Sequence, residues 1–481
     1  MGNNIYKIKK YQMIEVDKVI KKENLISIDE ALELNRETIK KIYNTNVNPA
    51  LGNLLALLNF DKKYTRAQGT QVWDEKGNSY LDFLGGYGSL NLGHNHQAVI
   101  EAIDKVKSLP NILQASINPL AAALAHNLAQ ITPGELSNVF FGNSGAEAVE
   151  GALKTAKIYT GKRKIIYCEG SFHGKTTGAL SVTGRVKYQK PFYPLIPQCE
   201  PVPFGDLEAL ERALKDKDTA CFIVEPIQGE GGIILPPEGY LKAARELCTK
   251  YEALFIVDEV QTGFGRTGKM FASEWDGIAP DIMCFAKALG GGIMPIGAFI
   301  TTKEIWEKSY GSTDRATLHT STFGGNSWAA AAALATLEVL LDGDLAYEAR
   351  EKGNYLLERL AQLKSQYALI KDVRGKGLLI GIEFQQEQSV LDKLTGGKVS
   401  ELTKEYTGAL VAGELLNKHN IITAYTINNP NVIRLEPPLT VTYEELDYVI
   451  NSLNKTFSSN KSVIKLALSS SKSIIGSLLK K

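Results

Sequence analysis

Between residues 136 and 301 short apolar runs alternate with stretches of helical periodicity: LSNVFFG (136–142), KIIYCE (164–169), ACFIVEP (220–226), ALFIVDEV (253–260), DIMCFAK (281–287) and IGAFIT (296–301). Runs of this length bounded by turn residues read as buried strands, and helices between them imply crossover connections. The pattern predicts an α/β fold with a doubly wound, largely parallel sheet. In such sheets ligands sit beyond the carboxyl ends of the strands, so the residues just after each run carry the candidate chemistry.

Upstream, residues 1–60 read as a helical extension, with the apolar positions of IDEALELNRETIKKIYNTNVNP at helical spacing and a stop at Asn48–Pro49. The segment QVWDEKGNSYLDF (71–83) predicts a hairpin turning at Glu75–Lys76–Gly77–Asn78. Downstream, one long helical segment over 327–365 leads to the runs KGLLIGIEF (376–384), IITAY (421–425) and VIRLEPPL (432–439), the makings of a smaller α+β unit. The expected organisation is thus an extension over 1–60, a large domain over 61–345, a small C-terminal domain over 346–457 and a basic, weakly amphipathic tail over 458–481.

Composition narrows the function classes. The 481 residues carry 54 Lys and Arg against 53 Asp and Glu, a formal net charge of +1, which argues against nucleic acid as the main partner. No apolar run reaches the 18 or so residues of a membrane span, and the start MGNNIYKIKKYQ lacks a signal-peptide core. Five cysteines, at 168, 199, 221, 248 and 284, are odd in number and widely spaced. They fit reduced thiols, and the expectation is a cytoplasmic enzyme.

Several residues stand where chemistry is expected. Ser144, Gly145 and Ala146 open a helix after the first run, a place suited either to a phosphate or to plain N-capping. Phe172 and His173 follow the second run and are placed to cover a flat ring or to pack a loop. Asp258 closes the most apolar run, with Gln261 three residues on, and faces either a protonated ring nitrogen or backbone amides. Lys287 closes DIMCFA just before Ala-Leu-Gly-Gly-Gly, a position for Schiff-base chemistry or for snorkelling to solvent. The loop GFGRTG (263–268) formally matches a dinucleotide fingerprint but is followed by no helix-opening pattern, so it reads as a turn-rich loop. His94 and His96 lack the neighbouring ligands of a metal site. Together, cradle, ring cover, acid and lysine are what pyridoxal phosphate requires.

The ordered motifs NSGAE (143–147), FHG (172–174), EPIQGE (225–230), DEVQTGFGRTG (258–268), KALGGG (287–292), TFGGN (322–326) and RLEPPL (434–439) closely resemble those of class III aminotransferases, over roughly residues 60–456. The resemblance implies a fold-type I pyridoxal-phosphate enzyme working as a homodimer or higher homo-oligomer. It implies that Lys287 binds the cofactor covalently and shuttles a proton, Asp258 pairs with the pyridine nitrogen, Gln261 contacts the ring hydroxyl and Phe172 stacks on the ring. It places Ser144, Gly145 and Ala146 at the phosphate, with Thr322 supplied by the other subunit, and adds His173 and Glu225 to the cofactor site. Arg434 resembles the arginine that grips a substrate α-carboxylate, and Glu230 the carboxylate that masks it when the donor has none. Within the family the resemblance is nearest to the putrescine aminotransferase branch, through LGGYGSLNLGH (84–94), Gly-Lys-Thr (174–176) and CFAKALGGGIMPIGA (284–298). The expected reaction moves the terminal amino group of a diamine to 2-oxoglutarate. Tyr87 is similar instead to a tyrosine of ornithine enzymes, so ornithine, acetylornithine or 4-aminobutyrate is the alternative donor.

Overall fold

The structure is a computed structural model that describes residues 25–385 and 398–459. The expectations for residues 1–24 and for the tail after Ser459 lie outside the described residues.

The strands run β1 (Tyr64–Gln68), β2 (Gln71–Asp74), β3 (Ser79–Asp82), β4 (Leu136–Gly142), β5 (Lys164–Cys168), β6 (Cys199–Val202), β7 (Thr219–Val224), β8 (Leu254–Asp258), β9 (Ile282–Phe285), β10 (Gly297–Thr302), β11 (Ile370–Lys376), β12 (Leu379–Phe384), β13 (Ile421–Ile422), β14 (Ala424–Tyr425) and β15 (Val432–Leu435). Seven of them build the central sheet in the order β4-β10-β9-β8-β7-β5-β6. Every residue of β5, β7, β8 and β9 is buried, which is why their sequences are unbroken apolar runs: helices cover both faces. All six predicted runs are strands of this sheet. It is mixed, because β10 runs antiparallel to both of its neighbours, β4 and β9.

A second sheet, β11-β12-β15-β14, is antiparallel throughout. A third, β1-β2-β3-β13, contains the predicted hairpin, with Trp73 opposite Ser79 and Gln71 opposite Leu81. The run IITAY is not one strand. Residues 421–422 add to the hairpin sheet beside β3, residues 424–425 add to the antiparallel sheet, and Thr423 between them donates its hydroxyl to the Arg434 carbonyl.

Two helical expectations are corrected. The segment 327–365 is two helices, Ser327–Asp342 and Leu345–Gln366, broken where Asp344 takes a left-handed φ of 44°. The extension is three short helices, Ile28–Glu33, Arg36–Asn46 and Pro49–Leu57, so Pro49 starts a helix as well as ending one. Proline suits a first helical position because its missing N–H has no acceptor there, and Asn48 caps the Leu51 amide. A single apolar cluster joins the sheets: Phe285 and Leu289 from the central layer, Ala330 and Ala333 from the helix Ser327–Asp342, and Ile380 and Ile433 from the antiparallel sheet. That shared core fixes the two sheets against each other and sets the distance between Lys287 and Arg434.

Candidate active site

The carboxyl ends of β4, β5, β8 and β9 open onto one cavity of about 520 Å³. Its walls include Ser144, Gly145, Ala146, Phe172, His173, Asp258 and Lys287, so seven of the residues singled out in the sequence meet here.

Lys287 follows β9 in a left-handed conformation (φ 48°), turning its side chain out of the strand register and into the cavity. A non-glycine residue held there costs on the order of 1–3 kcal/mol, which the surrounding core must supply. Among the described residues its ammonium has no hydrogen-bond or ion-pair partner, and the side chain lines the cavity. Burial lowers its pKa from the ordinary lysine range; the carboxylates of Glu436 and Glu230 oppose that only in part. An amine that sheds its proton more readily is a better nucleophile and base.

The helix Gly145–Thr160 starts on the opposite wall. Ser144 is its N-cap, accepting from the Glu147 amide at 3.2 Å, so the capping reading is correct as far as the hydroxyl goes. The amides of the first turn still lack intrahelical acceptors and lie at the positive end of a 16-residue helix, an arrangement that favours an anion. A Cβ on Gly145 would come within 2.9 Å of Val260, so only glycine leaves this cradle open.

Behind the lysine lies a buried acid–imidazole–acid group. His173 Nδ1 is 2.7 Å from Asp258 Oδ2, and Asp258 Oδ1 accepts the Val260 amide at 3.0 Å. Burial alone would depress the His173 pKa, but the hydrogen bond and charge of Asp258 outweigh it and the net shift is upward. Glu225 accepts the amides of Phe172 (2.9 Å) and Gly229 (3.1 Å), and burial pushes its pKa up to about 7. His173 Nε2 is buried with no hydrogen-bond partner among the described residues.

Arg434 on β15 is fully buried and forms an ion pair with Glu230 at 2.5 Å. Glu230 also accepts the Ile427 amide at 2.8 Å. Burial alone would raise the Glu230 pKa; the Arg434 charge more than offsets it and holds the carboxyl below its usual range. The Tyr87 ring lies 5.2 Å from the guanidinium carbon, carried on the turn Gly85–Gly88, whose four residues all have positive φ. The pairing of Glu230 with Arg434, suggested only by resemblance in the sequence, is therefore a contact.

Six predicted site residues do not line this cavity: Glu225, Glu230, Arg434 and Tyr87, placed above, and Gln261 and Thr322. Gln261 donates its amide to Glu436 Oε1 at 2.7 Å. Thr322 is exposed and lines a separate cavity of about 370 Å³ with Phe140, Phe141 and His319. One residue was missed. Glu436 is fully buried, accepts from Gln261 and stands 3.5 Å from the second arm of Arg434. Its signal was present: it lies two positions from Arg434 along an extended strand, hence on the same face. The glycine loop 263–268 is structural, with Arg266 fully buried and donating to the carbonyls of Leu378 and Pro437 and to Asn91. His94 is taken by Asp82 at 2.8 Å.

Lysine, anion cradle and buried acid form the constellation of a pyridoxal-phosphate transferase. The family model described as aminotransferase class-III matches residues 58–457, and this chain belongs to that family. Similar solved structures include the ornithine aminotransferase of Toxoplasma gondii ME49, 31% identical over 94% of this chain and 98% of that one, with a TM-score of 0.77. An amine transaminase from an uncultivated Pseudomonas species is 30% identical over 82% of this chain and 94% of that one, with a TM-score of 0.73. The acetylornithine aminotransferase of Elizabethkingia anophelis is 31% identical over 88% and 98%, with a TM-score of 0.71. The cofactor is pyridoxal phosphate, and the residues fit it: an open cradle at Gly145, a free lysine amine and a carboxylate paired with a buried imidazole face one cavity. No helix among the described residues is long and apolar enough to cross a membrane.

Proposed function

We propose that the enzyme moves the terminal amino group of a diamine, putrescine or cadaverine, to 2-oxoglutarate. Putrescine would give 4-aminobutanal, which cyclises to 1-pyrroline, together with glutamate, by a ping-pong sequence. The observation that carries this reading is the closed Arg434–Glu230 pair. While the pair is closed the carboxylate grip is masked and the pocket suits a cationic donor with no carboxylate. When Glu230 turns away, Arg434 offers two parallel N–H donors to a keto acid.

When bound, pyridoxal phosphate supplies an electron sink for the substrate carbon. The protein's own part divides among few residues. Ser144, Gly145 and Ala146 hold the phosphate, and Phe172 packs against the ring. Asp258, held by His173, would pair with the pyridine nitrogen and keep it protonated, and Glu225 fixes the Phe172 backbone. Lys287 would hold the cofactor covalently and, once the substrate amine has displaced it, its freed amine would take the proton from the substrate carbon and return it. Gln261, held by Glu436, would reach the ring hydroxyl once the cofactor is bound. Thr322 is delivered to the site of a second copy, which makes a homodimer the smallest complete unit. The five cysteines, all free, suit a reducing cytoplasm. Ornithine is the second reading, favoured by Tyr87 against Arg434 and by the ornithine aminotransferases among the similar structures.

Replacing Arg434 by alanine separates the two halves. The variant is expected to lose reaction with 2-oxoglutarate by about 10²-fold or more while retaining the half-reaction with putrescine, both read in single-turnover absorbance. Equal loss in both halves contradicts this division of roles.

A further inference from the structure

Arg434 is flanked by two carboxylates, and they are not equivalent. Glu230 sits on the loop after β7 and is held by Arg434 and one backbone amide, so it can leave when a competing carboxylate arrives. Glu436 cannot. Its backbone amide donates to the Phe83 carbonyl at 2.8 Å, its Oε1 receives Gln261 at 2.7 Å, and its side chain is fully buried. The turn carrying Tyr87 closes over it: a Cβ on Gly85 would lie 2.3 Å from the Glu436 carbonyl oxygen.

We infer that Glu436 is a fixed specificity determinant, a carboxylate held in place beside Arg434 that disfavours carboxylate ligands and favours a cationic donor. With the pair closed, one guanidinium faces two carboxylates and the local charge is −1, which a diamine's free ammonium neutralises. With Glu230 displaced by a substrate carboxylate, Glu436 remains and the charge is still −1. A pocket without Glu436 would be neutral at that step. The Arg266 guanidinium, its donors spent on the carbonyls of Leu378 and Pro437 and on Asn91, adds a positive charge that also reaches Glu436, so the charge of −1 belongs to the Arg434 cluster alone and what Glu436 contributes is one unit of negative charge at each step. Burial lowers the Lys287 pKa, and Glu436 is the strongest charge opposing that, so the same carboxylate acts on the reacting amine.

The inference rests on the proposed sharing of Arg434 by a diamine and a keto acid, and its test separates the two. Glutarate, an unreactive dicarboxylate of the acceptor's length, is titrated calorimetrically into the holoenzyme of the parent and of Glu436→Gln, which keeps the shape and the acceptor for Gln261. Binding is expected to tighten about tenfold on removing one buried charge near Arg434, while reduction of the bound cofactor by putrescine slows. Glu436→Asp keeps the charge and is expected to hold glutarate as weakly as the parent. Unchanged or weaker glutarate binding in Glu436→Gln overturns the inference. Should that variant fail to fold, Glu436→Ala carries the same titration and the same two outcomes. Failure of putrescine to react with the parent defeats the proposed donor, whereas the glutarate result bears on Glu436 alone.

Discussion

At the scale of single residues the site is defined by where charge is buried and by what answers it. Among the described residues Lys287 has no hydrogen-bond or ion-pair partner and burial pulls it toward the neutral amine, whereas Arg434 is buried with a carboxylate at 2.5 Å and a second at 3.5 Å. Glu225 is the acid whose titration is most exposed to measurement. Its pKa is about 7 in the folded chain against an ordinary value of 4.5, so between those values the folded state holds more protons than the unfolded state. Stability from this group is therefore complete below pH ~4.5 and is lost as the pH rises through about 7. Thermal unfolding across pH 4.5–8 is expected to show that fall in the parent and a shallower one in Glu225→Gln, and parallel curves would contradict the assignment. At this scale much of the site was legible. Lys287, Asp258, Ser144 and Phe172 were marked by position after apolar runs, which is a direct consequence of sheet topology. Glu436 was not, because its partner Gln261 is brought to it only by the tertiary fold.

At the scale of elements the runs of buried residues announced the central strands, and the exceptions have physical causes. Strand β6 reads Cys-Glu-Pro-Val and sits at the sheet edge, where only Val202 is buried, so it offers no apolar run and tolerates a proline. The reversal of β10 leaves no trace in residue pattern, since a strand buried on both faces looks alike in either direction. IITAY divides because Thr423 spends its hydroxyl on the Arg434 carbonyl, a tertiary contact that no local pattern encodes. The loop 263–268 shows the reverse case, a fingerprint match that folds as a brace. Gly268 has a φ of 91° and a Cβ there would lie 2.8 Å from Arg350, so glycine serves close packing in place of a phosphate. Arg266 in that loop joins the central layer to the segments around 378 and 437. Arg266→Met strands two buried carbonyls and the Asn91 amide oxygen, at about 1–3 kcal/mol each, so a loss of at least about 3 kcal/mol is expected in urea unfolding. A loss under about 1 kcal/mol would show that the brace is not needed.

For the whole molecule, one continuous core binds the sheet that carries Lys287 to the sheet that carries Arg434 and so holds the two groups in a fixed relation. Thr322 is exposed and lines a cavity other than that of Lys287, and the proposal gives it to the pocket of a second copy. Coexpression of Lys287→Ala with Thr322→Ala tests that. Mixed dimers then contain one site with both defects and one with neither, so activity is expected to exceed that of either variant alone, in sedimenting dimers. Activity equal to the simple average of the two variants would place Thr322 in its own subunit's site.

The central claim is that this pocket accepts an amine without a carboxylate and then a keto acid that has one. The most direct measurement is the visible spectrum of the purified holoenzyme with one amine in excess and no keto acid. Putrescine is expected to bleach the absorbance of the lysine-bound cofactor, and 2-oxoglutarate to restore it. Bleaching by ornithine, acetylornithine or 4-aminobutyrate with none by putrescine would contradict the account while leaving the family assignment in place.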